Sequence, residues 1–424
     1  MALFSLSQWS KPIWGWLLYD VASSSYILLV PSVAYAVYYR QVVCGGAAHC
    51  DGQWAMLTAI ALVIAGGLAP LVGAIADLGQ LRHRLFTATS LMCCGATATL
   101  FWVKPGAMVL GGLAFVIAQV GYILAASLYD AYLPTLVPPQ RLGQLSGLGW
   151  GLGYLGGLAC FFIARPWMQG GFEAANLPTY RWTFLLVAGF YSLVALPALV
   201  WLPRQLSHAP SLSASRLVQD AYHQVLDTLG GWRQNRPIFQ FLTGYYLISD
   251  GIVTVGSFAA IYFHTQFGLG MGQILQLTLL FNAIAIPATL TFGWLSHRWS
   301  GMDLLKIVLA LWIGTLLLMG VSTHPLTPLL AACGLGLVLG STQSICRGLY
   351  AEMIPPAQAT QWFGFHALVS KVSAIFGPLM FGLISTVTGN QRLAVLSLIP
   401  FFVVGSWVLF RLPRFAPGLE QEIP

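Results

Sequence analysis

Apolar residues in this chain do not alternate with polar ones along narrow stripes. They gather into twelve long runs, at about 13–38, 53–76, 85–103, 108–128, 145–163, 182–202, 238–262, 273–295, 304–321, 326–346, 363–385 and 392–410. Each run is about 18 to 26 residues, the length with which a helix crosses a hydrocarbon core of about 30 Å, whereas barrel strands are roughly ten residues and alternate. Lipid offers no partner to a bare backbone N–H or C=O, so a spanning segment must satisfy its own hydrogen bonds. The pattern predicts an all-α polytopic membrane protein with twelve transmembrane helices. Composition points the same way: 57% of residues are hydrophobic, 7% are charged, and the mean hydropathy is +0.76. That leaves too little polar surface for a water-soluble body of 424 residues.

The basic residues between the runs set the orientation, because Lys and Arg in short loops stay on the cytoplasmic side. With the N-terminus inside, the cytoplasmic set is Lys11, Arg82, Arg84, Arg141, Arg204, Arg216, Arg233, Arg236, Arg298, Lys306, Arg347, Arg411 and Arg414; the outer set is Arg40, Lys104, Arg165, Arg181 and Arg392. Both termini are therefore expected in the cytoplasm, and the formal charge of +7 is explained by topology. No basic run with interleaved aromatics argues for nucleic acid. Ala34-Tyr35-Ala36 resembles a signal-cleavage site, but the apolar stretch before it is too long and holds Asp20 and Pro31, so an uncleaved first helix is expected.

The longest polar stretch, 203–237, divides the chain into an N-terminal six-helix bundle (1–202) and a C-terminal one (238–424). Inside it Leu217, Val218, Ala221, Tyr222, Val225, Leu226 and Leu229 recur at helical spacing, Arg216, Gln219, Asp220, His223 and Asp227 take the other faces, and Gly230-Gly231 ends the run. This predicts an amphipathic helix in the plane of the cytoplasmic surface. Cys44 and Cys50 flank a short turn in the first outer loop, where an oxidising compartment favours a disulfide. The remaining five cysteines fall in or at the ends of spans, as small packing residues. No cysteine–histidine spacing indicates a zinc site, and no cofactor is implied.

The halves resemble each other. Val137-Pro138-Pro139 leads to Gly147 as Ile354-Pro355-Pro356 leads to Gly364, and Gly73-Ala-Ile-Ala-Asp77 matches Gly293-Trp-Leu-Ser-His297 in spacing. Secondary transporters are commonly built from such repeats, with substrate near the bilayer midplane. Gly73, Asp77 and Gly79, followed by Arg82 and Arg84, resemble the loop motif of the major facilitator superfamily, with Leu78 where that motif has a basic residue. Leu18-Tyr19-Asp20, Leu133-Pro134, Ser146-Gly-Leu-Gly-Trp150, Gly153-Tyr-Leu-Gly-Gly157, Ser249-Asp250-Gly251, Phe363-Gly364-Phe365, Lys371 and Gly377-Pro378 resemble its vacuole-effluxer branch. That branch holds fungal vacuolar amino-acid exporters and many bacterial relatives. The resemblance covers essentially the whole chain and implies the major facilitator fold, alternating access and, with the bacterial relatives, a place in an inner membrane.

Independently of the family, an aspartate at one helix end can cap the positive N-terminus of another helix and pair with a nearby Arg. Asp77 with Arg141 is the expected latch, and His297, Arg298 and Glu352 are its expected equivalent in the second half. Charges away from the membrane surfaces each need a reason. Counted from the span starts at about 1.5 Å per residue, Asp20 is about 10 Å deep, Asp250 about 18 Å and Lys371 about 12 Å. Asp20 and Asp250 occupy the first helix of each half, and a carboxylate there can relay a proton. Tyr26, Gln119, Tyr246, Asn282 and Gln343 add hydrogen-bonding groups, and Lys371 is expected to hold an anionic group or to neutralise an aspartate. Gly151-Leu-Gly153-Tyr-Leu-Gly156 matches a dinucleotide fingerprint but lies inside a span with no preceding strand, so the glycines read as helix packing. No nucleophile–base pair converges on one group of spans, so no enzyme is expected. The reading is a proton-linked secondary transporter of a small polar, amino-acid-like solute. A lipid-derived or siderophore-like solute and a non-transporting receptor on the same scaffold are the alternatives.

Overall fold

The computed structural model of the protein describes residues 9–47, 49–204, 213–374 and 376–413. Arg414 of the basic set and both chain ends lie outside the described residues. Among the described residues, twelve helices are long and apolar enough to cross a membrane: Lys11–Val43, His49–Leu78, Arg82–Trp102, Met108–Leu136, Pro139–Met168, Leu177–Trp201, Arg236–Phe267, Gly272–Leu295, Gly301–Val321, Thr327–Met353, Pro356–Thr388 and Gln391–Phe410, here spans one to twelve. The linker helix, Ala214–Gly230, lies between spans six and seven.

Several spans outrun their apolar cores. Span one continues to Val43 through two π-helical turns, Leu29–Val33 and Tyr39–Val43. The first contains Pro31, whose ring removes an N–H, and the wider turn accommodates that loss. Span eleven is two helices, Ala359–Val372 and Phe376–Thr388. Proline stands at the first turn of spans one, six, seven and ten, where its missing N–H would have had no helical partner.

The packing partners repeat between halves. Span one runs along span six as seven does along twelve, spans two and three pack on four, and spans eight and nine pack on ten. The chain forms two compact units. One takes the described residues up to Tyr132, then Leu152–Val225 and Ala357–Leu368; the other takes Leu133–Gly151, Leu226–Pro356 and the described residues from Val369. The start of span five thus belongs to the second unit, and the start of span eleven to the first.

Each unit has an aromatic core. In the first, Trp16 stacks on Tyr129 at 4.7 Å, its indole N–H donates to the Tyr129 carbonyl at 3.2 Å, and the Tyr129 hydroxyl donates back to the Trp16 carbonyl at 2.9 Å. In the second, Trp312 stacks on Phe402 at 4.9 Å and donates to the Thr342 hydroxyl at 2.9 Å. Meanwhile Val63, Leu193, Val200, Leu379, Leu383 and Val387 are exposed. The indole and hydroxyl groups of these cores are paired inside and aliphatic side chains are turned outward, as a lipid solvent favours.

Candidate functional site

Two polar constellations stand out, one at the helix ends and one inside the spans. At the first, span two ends in Asp77 and span three begins with Arg82, and their side chains are only 3% and 5% exposed. Arg82 donates to an Asp77 carboxylate oxygen at 3.2 Å, to the Thr360 hydroxyl at 2.7 Å and to the Ala131 carbonyl at 3.1 Å, and lies over the Tyr132 ring. Asp77 also accepts the backbone N–H of Gln361 at 2.9 Å and of Thr360 at 3.4 Å. These amides open the first helix of span eleven, so the carboxylate meets the positive end of a helix dipole. The basic partner that Asp77 holds within its own unit is Arg82, and Arg141 belongs to the other unit. Arg141 is an exposed residue of the Pro139–Arg141 turn, and Arg82, one turn of chain beyond Asp77, is near enough to be buried with it.

Glycines make this docking tight. A Cβ on Gly73 would strike the Thr360 carbonyl, and one on Gly364 would strike the Ala69 carbonyl. The second unit repeats the contact: a Cβ on Gly147 would strike the Gly293 backbone, and one on Gly293 would lie 2.8 Å from the Gly147 Cα. The two internal repeats are therefore the two sides of one contact, used twice.

What fixes the contact differs between the copies. In the second unit the buried Arg347 donates through Nε to the Ser146 hydroxyl and through a terminal nitrogen to the Ser146 carbonyl, each at 2.9 Å, while Ser146 donates to the Ser344 carbonyl at 2.7 Å. His297, Arg298 and Glu352 all line a cavity of about 620 Å³ in this unit, with Gln140, Ser300 and Lys306. The structure places no ion pair between Arg298 and Glu352 among the described residues; Arg298 lies over the Trp294 ring at 4.8 Å.

Inside the spans, Asp250 is fully buried. One carboxylate oxygen accepts the Gly377 N–H at 2.8 Å, at the start of the second helix of span eleven, and the other has no hydrogen-bond partner among the described residues. The Thr254 hydroxyl donates to the Asp250 main-chain carbonyl at 2.7 Å. Lys371 is therefore not the counter-ion of Asp250. It stands, half-buried, in the last turn of the preceding helix, Ala359–Val372, and the break between the helices gives Asp250 an amide instead. In the first unit the Tyr26 hydroxyl donates to Gln119 at 2.9 Å, from span one to span four. In the second, the Tyr245 hydroxyl donates to Gln343 at 2.8 Å, from span seven to span ten. Tyr246 is half-buried one turn before Asp250, Asn282 donates to the Thr278 carbonyl of its own helix at 2.8 Å, and Asp20 is half-buried in span one.

Cys44 and Cys50 form a disulfide after span one. His49 lies beside it, its Nε2 3.6 Å from the Cys44 sulfur, so two of the three metal-ligating side chains gathered there are already consumed by the bond.

A family profile described as "Vacuole effluxer Atg22 like" matches residues 41–415. The chain belongs to this family. It is 24% identical to an MFS-type transporter of Bacillus subtilis, YxiO, over 96% of each chain. It is also 24% identical to autophagy-related protein 22 of Coccidioides immitis, over 82% of this chain and 71% of that one. Among solved structures it is similar to the proton:xylose symporter XylE (TM-score 0.72, 14% identity, 95% and 94% of the two chains). It is likewise similar to the human organic anion transporter MFSD10 (TM-score 0.69, 16% identity, 94% and 98%). The fold is that of the major facilitator superfamily, and the protein is a multi-pass membrane protein of a transporter family.

In this member of the Atg22-like family, two residues of the constellations were not directly legible in the sequence. Arg347 counts as a loop charge only if span ten ends at 346; the apolar residues continue through Gly348, Leu349 and Tyr350, which was the available signal. Tyr246 shares a helix face with Asp250, which favours it in the sequence, but Tyr245 makes the contact with Gln343. The Tyr–Gln pair in spans one and four, carried to spans seven and ten by the repeat, points to Tyr245.

Proposed function

We propose that this protein is a secondary active transporter moving a small polar, amino-acid-like solute by alternating access, with Asp250 as a proton-carrying carboxylate. The observation that carries this reading is the buried Asp250 side chain, one oxygen held by the Gly377 amide and the other without a hydrogen-bond partner among the described residues. A proton arriving on the second oxygen removes the charge that holds the start of the second helix of span eleven, so protonation and helix position are linked. Buried intramembrane carboxylates serve proton pathways because their cost is otherwise hard to offset. The amino-acid-like solute rests on the resemblance to vacuolar amino-acid exporters. Lys371, in the other helix of the same broken span, is suited to an anionic group such as a carboxylate. Asp77 and Arg82, by holding the start of span eleven to span two, form a contact that must open for the cycle to proceed. The distribution of basic residues supports both termini in the cytoplasm, and the likeness to a Bacillus subtilis transporter supports a bacterial inner membrane.

The test is transport in proteoliposomes with and without an imposed pH gradient, using amino acids as the first solutes. Asp250→Asn keeps the size and one acceptor oxygen but cannot cycle a proton. Gradient-driven accumulation is expected to disappear while solute exchange persists. Full accumulation by Asp250→Asn would leave the residue as a cap for span eleven and remove the proton role.

A further inference from the structure

The linker helix has three faces, and the transport reading uses none of them. Its docking face is Leu217, Ala221, Gln224, Val225 and Thr228, with Ala221 fully buried. Leu217 reaches the end of span two at Gly79, and the Gln224 side-chain amide donates to the Gln361 side chain, while Gln361 donates back to the Gln224 carbonyl at 3.4 Å. Gln361 is the residue whose backbone N–H Asp77 holds. A second face, about 100° round the helix from Ala221, is apolar and open: Val218, Tyr222, Leu226 and Leu229 are 45–54% exposed. The third face is polar and exposed, with Arg216, Gln219, Asp220, His223 and Asp227. A helix docked only on protein would need no second apolar face.

What covers that face follows from its tether and its charge. Only five residues separate Gly230 from Arg236, where span seven begins, so the helix end lies within about 22 Å of chain from that span. Trp232 is 51% exposed in this short connection, with the Arg233 guanidinium over its ring at 5.5 Å, an aromatic–basic pair of the kind that anchors chains at membrane surfaces. Between residues 203 and 237 the only side chains charged at neutral pH, His aside, are Arg204, Arg216, Arg233 and Arg236 against Asp220 and Asp227, a net positive charge suited to anionic headgroups.

We propose that the Val218–Tyr222–Leu226–Leu229 face lies in the surface of the cytoplasmic leaflet on anionic lipid, and that this contact acts on the start of span eleven through the Gln224–Gln361 pair. The second clause rests on the latch reading of Asp77. The lipid surface sets the position of the linker helix, and the helix shares a residue with the latch, so membrane composition biases the latch without touching the solute.

The full-length protein is reconstituted in phosphatidylcholine with and without phosphatidylglycerol. A nitroxide on Tyr222→Cys is expected to be reached by oxygen and shielded from a water-soluble nickel chelate. The same label on His223→Cys is expected to show the reverse. Transport is expected to change about fivefold or more between the two lipid mixtures, and Tyr222→Glu with Leu226→Glu is expected to remove that dependence. Both positions are exposed, so an unchanged size-exclusion profile checks the fold. Gln224→Ala is expected to leave the nitroxide buried while removing the lipid dependence. Nickel access at position 222, or cross-linking of two copies through it, overturns the lipid contact. Lipid dependence that survives Gln224→Ala overturns the coupling, and Asp77→Asn reports on the latch separately.

Discussion

Asp77 and Arg82 show why a buried charge in this chain must have several partners at once. Taking either ion out of water is costly, and the cost is met here by one ion pair, two backbone amides, a hydroxyl and a carbonyl. Asp77→Asn keeps an acceptor for Gln361 but loses the charge seen by Arg82 and by the helix end. The expected loss is about 1–3 kcal/mol for the docked arrangement, a shift of about five- to 150-fold in the balance of conformations. Single cysteines placed on either side of the transport path, labelled with an impermeant maleimide, measure it. Identical labelling of mutant and parent would leave Asp77 a buried structural charge of no conformational weight. Arg347 solves the same difficulty differently, spending its planar fork on both polar atoms of Ser146, a geometry that a lysine does not offer.

Between helices the deciding feature is how near two backbones come. Gly364 faces the backbone of Ala69 and Pro70, and Gly147 faces that of Gly293, so an added methyl group meets main chain that has no rotamer to escape by. Gly364→Ala and Gly147→Ala are each expected to weaken their contacts by about 1–3 kcal/mol, the cost of overpacking. Gly95, with nothing within 4 Å of an added Cβ, is the control, and Gly95→Ala is expected to be neutral or slightly stabilising. Melting curves of the purified variants in detergent decide it; a Gly364→Ala protein as stable as Gly95→Ala would show that span eleven does not depend on this approach.

For the molecule as a whole, the orientation can be read chemically from the Cys44–Cys50 disulfide. An impermeant thiol reagent added outside is expected to label these two positions only after reduction, against the background of Cys93, Cys94, Cys160 and Cys346, which are buried, and Cys333, which is half-buried. Labelling without reductant argues against the bond, and labelling from the cytoplasmic side alone argues against the orientation. The twelve spans and the two-fold repeat were legible in the sequence, because lipid forces any crossing segment to be a long apolar helix and a repeat leaves its spacing in the prolines and glycines. The sequence also marked Asp77 and Asp250, since charge beside or within an apolar run is rare enough to notice. It could not choose their partners. The pairing of Asp77 with Arg82, and that of Asp250 with the Gly377 amide, are outcomes of where the helices break and which backbones touch. Span length follows from local hydrophobicity; pairing depends on distances between residues far apart in the chain, such as the 127 positions between Asp250 and Gly377, which only packing brings to 2.8 Å.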